Sequence, residues 1–200
     1  MTRSDPGVTC SGSPESSCVE NLVSRIRHGN HDAFEELFRT YYEPLFAFVQ
    51  TQVQPREIAE DLVQSIFVRL WEHRMTLAVR GSIRAYLYGA AKLEVIDHYR
   101  RTGVRLREVG NRTREDPIPG MGQPPPSTED LAHATELREA IRSAAERLPE
   151  RCRLIVIMRW EHQLSYAEIA HALGISQKTV ENQMNIALKS FRKALQRFRP

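Results

Sequence analysis

Between Arg114 and Asp130 the chain reads REDPIPGMGQPPPSTED, five prolines and two glycines without apolar periodicity. Proline lacks the backbone donor and fixes φ, and it pushes the preceding residue out of the helical region. No helix or central strand is expected to cross this stretch. Its three successive prolines favour extended, polyproline-like backbone, so it reads as a tether between two folded parts. With 41% hydrophobic residues among 200, both sides can bury a core.

On both sides the apolar residues recur at helical spacing. Val19, Leu22, Val23 and Ile26 form one run, broken by GNHD. Phe34, Leu37, Phe38, Tyr41, Leu45, Phe46, Phe48 and Val49 form the next, with a local kink expected at Pro44. Pro55 suits the first turn of a helix carrying Ile58, Leu62, Ile66 and Leu70, and a further helix is expected from about Ser82 to Arg101. Beyond the tether, Leu137, Ile141, Ala144 and Leu148 share a face, and LPERCRLIVIMRW begins a strongly apolar helix. No strand alternation or hairpin dipeptide competes. The expectation is an all-α chain of two small helical domains: a disordered tail over 1–18, a first domain over 19–103, a flexible linker over 104–131 and a second domain over 132–200. The two domains should tumble semi-independently, or be held together only by weak contacts or an inhibitor.

Several function classes are excluded. Cys10, Cys18 and Cys152 contain no C-x-x-C pair, so neither a disulfide scaffold nor a zinc site is expected, and Cys152 reads as a small core residue. His73, His98, His133, His162 and His171 are scattered and read as surface residues. There is no H-E-x-x-H, no phosphate-binding glycine loop and no G-x-S-x-G, so no enzyme, metal or cofactor is expected. No run has the length of a membrane span, and the N-terminus has no apolar signal core, which points to the cytoplasm. A net charge of +3 and a pI near 8.9 lean weakly toward an anionic partner.

The C-terminal end carries the sharpest constellation. Ser165 and Glu168 form a capping box, Gly174 suits a left-handed turn and Ser176 can cap the helix that follows. Ala170, Gly174 and Val180 supply the small contact, the turn and the apolar return of a helix-turn-helix. On the last helix, Val180, Met184, Ala187, Leu188 and Phe191 fall on one arc. Lys178, Glu181, Asn182, Asn185 and Lys189 fall on another. Amides and cations on one face suit base edges and phosphates in a major groove, so this reads as a recognition helix rather than a merely solvated one.

In the first domain, YLYGAAKLEVIDHYRRTGVRLR interleaves aromatics with basic residues. Such a surface fits a single strand, where bases stack and cations track the backbone, and equally fits a core helix with a basic last turn. In EDLVQSIFVRLWEHR, Val63, Phe67, Val68 and Trp71 spread too widely for one stripe. Beside Asp61 and Gln64 that surplus reads either as a protein-docking face or as burial in a bundle.

Together these segments resemble the extracytoplasmic-function (ECF) type of sigma-70 family factors, the promoter-recognition subunits of bacterial RNA polymerase. The likeness spans about 19–103 and 132–198. AEDLVQSIFVRLWEHR is similar to region 2.2, RAYLYGAAKLEVIDHYRR to regions 2.3 and 2.4, and LPERCRLIVIMRWEHQLSYAEIAHALGISQKTVENQMNIALKSFRKAL to region 4. The resemblance implies binding to core RNA polymerase at the β′ coiled coil through Asp61, Gln64, Phe67 and Trp71, and at the β flap through region 4. It implies −10 promoter DNA contacts from Arg80, Arg84, Tyr88, Lys92, Arg100 and Arg101, with a flipped base captured near Met75 to Ser82. It implies −35 contacts from Gln177, Lys178, Thr179, Glu181, Asn182, Asn185 and Lys189, and an anti-sigma factor as a further partner. The chain departs from many relatives at Lys92 and Leu93, where they carry Arg-Asn, and at Gln183 to Asn185. The rival reading is a helix-turn-helix activator that binds duplex DNA without joining the polymerase. It calls for an α/β sensor domain, of which the first 100 residues carry no strand pattern.

Overall fold

The computed structural model describes residues 14–79, 81–103 and 128–198; within these, the side chains of 14–20, 128–134 and 197 are not described. The described residues contain helices and no strand, so the expected all-α class holds, and among the described residues of the first half there is no strand of an α/β sensor. The elements are α1 (Pro14–Arg27), α2 (His31–Gln50), α3 (Arg56–Glu72), a single 3-10 turn (Arg74–Thr76) and α4 (Ile83–Thr102). After the tether come α5 (Thr128–Glu146), α6 (Glu150–Trp160), α7 (Tyr166–Leu173), α8 (Gln177–Ala194) and a closing 3-10 turn (Gln196–Phe198).

Local chemistry sets most boundaries. Asn30 caps α2 by accepting from the Ala33 amide at 2.8 Å, and Ser82 caps α4 by accepting from Ala85 at 3.0 Å. Gly103 ends α4 with a φ of 69° that a side chain would resist. Two helices begin before their apolar periodicity does. Helix α1 starts at Pro14 rather than near Val19, and α5 at Thr128, inside the expected linker. In each case helix-start chemistry precedes the apolar run: Pro14-Glu15 in one and Thr128-Glu129-Asp130 after three prolines in the other. Helix α2 passes through the exposed Pro44 without ending. Most of the tether, 104–127, lies outside the described residues.

In the first half α2 packs on α1, α3 and α4, around Ile26, Leu37, Leu45, Phe48, Val49, Val63, Ile83 and Leu87. Arg27 ties α1 to the approach to α4 by donating from Nε to the Leu77 carbonyl at 2.8 Å. In the second half α8 is seated on α5, α6 and α7, around Ile155, Met158, Leu164, Ile169 and Val180. The two sets are not separate. Helix α4 lies along α7, and one continuous cluster of buried residues runs through both halves. In the structure the halves are docked, and each covers a surface of the other.

Leu37 is fully buried in α2, so Leu37→Ala should lower stability by about 2–5 kcal/mol, the usual cost of a truncated core leucine. Ser176→Ala, which removes the cap of α8, should cost only about 1 kcal/mol. Urea unfolding of both variants measures the contrast.

Candidate nucleic-acid interface

The turn before α8 is built as its residues dictate. Ser165 accepts from the Glu168 amide at 3.2 Å while Glu168 Oε2 accepts from the Ser165 amide at 2.9 Å, a complete capping box. Gly174 then takes φ 62° and Ser176 accepts from the Thr179 amide at 3.1 Å. Buried Ala170 and Val180 close the corner, as a helix-turn-helix requires. Cys152, free and buried as expected, donates from Sγ to the Gln183 carbonyl at 3.2 Å and so fixes the middle of α8, and burial pushes its thiol pKa up. Near the end of α8, Phe191 packs against Trp160 with the rings tilted and their centres 5.2 Å apart.

With Val180, Met184, Ala187 and Phe191 turned into the core, the opposite arc is free. Gln177, Lys178, Asn182, Asn185 and Lys189 are exposed, and Glu181 is half-buried. Lys178 Nζ lies 3.3 Å from Glu181 Oε2, an exposed pair worth at most about 1 kcal/mol that a ligand can break at little cost. Thr179 is spent differently, since its hydroxyl shares a hydrogen bond with that of Ser176 at 2.8 Å. Leu188, expected in the core, is half-buried.

The basic-aromatic helix α4 divides. Arg100 and Arg101 are exposed at its end, where Arg100 pairs with Asp97 at 3.2 Å and Arg101 Nε donates to the Asp97 carbonyl at 3.3 Å. Arg80 lies outside the described residues. Arg84 is half-buried, and its charge acts on Tyr41, Tyr88 and Glu168. Tyr88, which the resemblance set against −10 DNA, is 1% exposed, its ring centre 5.0 Å from Phe48 and 5.2 Å from His162. Burial pushes its phenol pKa well up despite Arg84. Lys92 donates from Nζ to Gln52 Oε1 at 3.3 Å, and burial pulls its amine pKa down against the opposing charge of Glu150. In this arrangement neither Tyr88 nor Lys92 faces open solvent.

His162 also corrects an expectation. It is 7% exposed rather than a surface residue, and from the loop after α6 it packs against both Phe48 and Tyr88. Nothing in its local sequence signals this. Gly89 did carry a signal, because glycine inside a helix is disfavoured by roughly 0.5–1 kcal/mol and often marks a close approach. A Cβ at Gly89 would sit 3.1 Å from the Ala172 carbonyl oxygen of α7. Between them, the Ser82 hydroxyl donates to Glu168 Oε1 at 2.7 Å.

On α3, Asp61 and Gln64 are exposed, with Val68 at 54% exposure one turn further along the same side. Phe67 is 2% exposed and packs on Phe34, Phe38 and Tyr42, so it belongs to the core and not to a docking surface. Three helical turns of aromatics on α2 claim it, which the spread of apolar residues on α3 alone could not reveal. Trp71 is half-buried: His31 and Phe34 flank its ring at 4.6 and 4.9 Å, and the Arg74 guanidinium covers it at 4.4 Å. Arg69 bridges to the buried Glu94 and ties α3 to α4. Among the described residues no cluster of side chains could hold a metal ion, and no helix is long and apolar enough to cross a membrane.

Comparison with known proteins places this arrangement. The family model of the ECF sigma factor matches residues 16–197. RNA polymerase sigma factor YlaC of Bacillus subtilis (strain 168) is 28% identical over 176 residues, 85% of this chain and 96% of YlaC. ECF RNA polymerase sigma factor SigL of Mycobacterium tuberculosis (strain ATCC 25618 / H37Rv) is 31% identical over 139 residues, 69% of this chain and 75% of SigL. Among solved structures, CnrH in complex with the cytosolic domain of CnrY superposes with a TM-score of 0.60 at 20% identity, covering 89% of this chain and 97% of CnrH. The sigma factor RpoE bound to the anti-sigma factor NepR, from Bartonella quintana, gives 0.54 at 18% identity, covering 82% and 96%.

The Glu168 carboxylate supplies a pH test of the turn. Burial pushes its pKa up, but the Ser165 amide, the Ser82 and Ser165 hydroxyls and the Arg84 charge outweigh burial and hold it below its ordinary value. Stability from these bonds is therefore full above the ordinary glutamate range and is lost as pH falls through the lowered value. Thermal melts should show wild type well above Glu168→Gln at neutral pH, with the gap closing on acidification below about pH 4.

Proposed function

The chain belongs to the family of ECF sigma factors, and from that premise we propose how its surfaces divide the work of starting transcription. Core RNA polymerase is bound through α3, where Asp61 and Gln64 flank the exposed Val68 and Trp71 is braced by Arg74. A helix fixed on one side by Phe67 and on the other by the Arg69–Glu94 bridge presents that face rigidly. The −10 strand is taken by the basic side of α4, with Arg100 and Arg101 on the backbone and Arg84, Tyr88 and Lys92 along the helix. Unpairing and flipping a base costs a few kcal/mol, offset by stacking and phosphate contacts. The −35 duplex is read by α8 in the major groove, and the same domain meets the β flap. An anti-sigma factor is a further partner, as NepR is for RpoE. Nothing in this scheme asks for catalysis or a cofactor, and its partners, DNA and polymerase, place it in the cytoplasm.

The observation that carries the reading is the exposed arc of Asn182, Asn185 and Lys189 on a capped helix behind a left-handed glycine turn. Asparagine can pair with adenine, glutamate can accept from cytosine, and each good base contact is worth about 1–3 kcal/mol of discrimination. A freestanding activator would share this helix but not the polymerase face of α3.

Three expected outcomes separate these roles. Glu181→Ala or Asn182→Ala should change which −35 sequences are transcribed from a promoter library, with core binding intact. Lys189→Ala should weaken binding across all sequences and flatten its salt dependence. Replacing Asp61 and Gln64 together by Ala should weaken assembly with core polymerase in a titrated pull-down while helical content stays constant. Unchanged assembly would remove α3 from the interface.

A further inference from the structure

Glu94 lies in the middle of α4 and is 5% exposed, a carboxylate buried where α4 meets α3. Its partner is Arg69, from the end of α3, whose Nη1 donates to Glu94 Oε1. Taking a carboxylate out of water is costly, and an apolar pair in the same place is often as stable as an ion pair or more so. Stability alone is therefore a poor reason for this bridge. What the bridge does achieve is to hold a guanidinium still. The Glu94 side chain is 7% exposed and that of Arg69 56%, so the anchor is buried and the cation it holds is not. Among the described residues no other partner takes Arg69 Nε or Nη2, which leaves those donors to solvent.

Helix α4 turns a second cation to the same side. Glu94 and Arg101 are seven residues apart, close to two turns, which separates them by roughly 10 Å along one side of the helix. Arg101 is exposed, and the carboxylate of nearby Asp97 is occupied by Arg100 at 3.2 Å. Leu93, next to Glu94, is 63% exposed, so this side of α4 is open where the side of Tyr88 is not. Cations spaced along one open edge suit the backbone of an unpaired strand, whose phosphates recur every few ångströms.

We propose that Arg69 is a phosphate-binding residue for the −10 strand: Glu94 holds its guanidinium from behind, and the remaining donors take a backbone phosphate on the edge that leads to Arg101. The proposal rests on reading α4 as the −10 helix, and it adds to that helix a residue from α3. Arginine suits the place because its planar fork can meet a carboxylate along one edge and a phosphate along another, which the point charge of lysine cannot. A buried acceptor also removes rotamer freedom that a loose side chain would lose on binding. Gln64 and Val68 occupy a different side of α3 and stay available to polymerase.

Two variants keep the joint between α3 and α4 while removing the fork. Arg69→Met with Glu94→Leu replaces the pair by apolar side chains and leaves the net charge unchanged. Arg69→Lys keeps a cation against Glu94. Thermal melts of the full chain should place both near wild type, and a titrated pull-down should show unchanged assembly with core polymerase. The probe is a promoter that the wild-type holoenzyme transcribes, pre-melted over its −10 segment. Holoenzyme with the double variant should bind it roughly tenfold more weakly, the worth of one charge-assisted hydrogen bond, and Arg69→Lys should also bind more weakly. Methylphosphonates placed one at a time along the −10 strand neutralise single phosphates. One position should weaken wild type and have no further effect on the double variant, the non-additivity of two groups in contact. That comparison is made within each protein, so it is read even where a variant melts early. Full affinity in both variants, or a methylphosphonate profile identical to that of wild type, would overturn the proposal. So would weakened core assembly with full promoter affinity, which would assign Arg69 to polymerase. The reading of α4 is tested separately by Arg100→Ala with Arg101→Ala. Unchanged affinity there removes α4 from the strand, whereas a loss there beside full affinity in the Arg69 variants removes only Arg69.

Discussion

The backbone of α4 comes within van der Waals reach of the Ala172 carbonyl because position 89 has no side chain. That approach decides much of what surrounds it. It brings the N-cap of α4 to the N-cap of α7, so that one carboxylate can accept hydrogen bonds from both. It lets His162 pack against Phe48 and Tyr88, joining two small cores into one. Small helical domains bury a limited share of their surface, and each half here gains core by borrowing from the other. Interfaces of this kind, with a polar latch beside a narrow apolar contact, resemble those between domains that move relative to one another.

Charge is placed differently in the two halves. The outward face of α8 proposed to read DNA holds its cation and carboxylate in an easily broken pair, Lys178 with Glu181. The bridge from Arg69 to Glu94 ends on a buried carboxylate, where losing the partner would leave a charge without compensation. The first arrangement suits a surface that exchanges partners, the second a joint that must not shift. On α3 the two needs meet, since Asp61 and Gln64 stay open while Phe67 one face away anchors the helix.

What could be read from the chain was local. Ser165 with Glu168, Gly174 and Ser176 specify a turn through bonds no more than a few residues long, and the structure forms each of them. The arcs of α8 follow from 3.6 residues per turn, with Glu181 and Leu188, both half-buried, at the margins of their arcs. Helix starts at Pro14 and Thr128 were missed because apolar periodicity was followed where start chemistry mattered. The family was legible because its motifs are themselves strings of such local signals in a fixed order.

Which apolar faces meet, however, depends on partners far away in the chain, and periodicity reports only that a face exists. Phe67 and Val68 are adjacent and both apolar, yet one lies in the aromatic cluster of α2 and the other in solvent. Tyr88 reads equally as a stacking residue and a core residue, and its burial was decided by a histidine 74 positions on. The sequence by itself determined two sets of helices, a capped helix behind a glycine turn and a proline-rich break between them. Only tertiary structure decided that the two sets share a core and which side of α4 is covered, because docking sums many weak contacts over surfaces that no local rule connects.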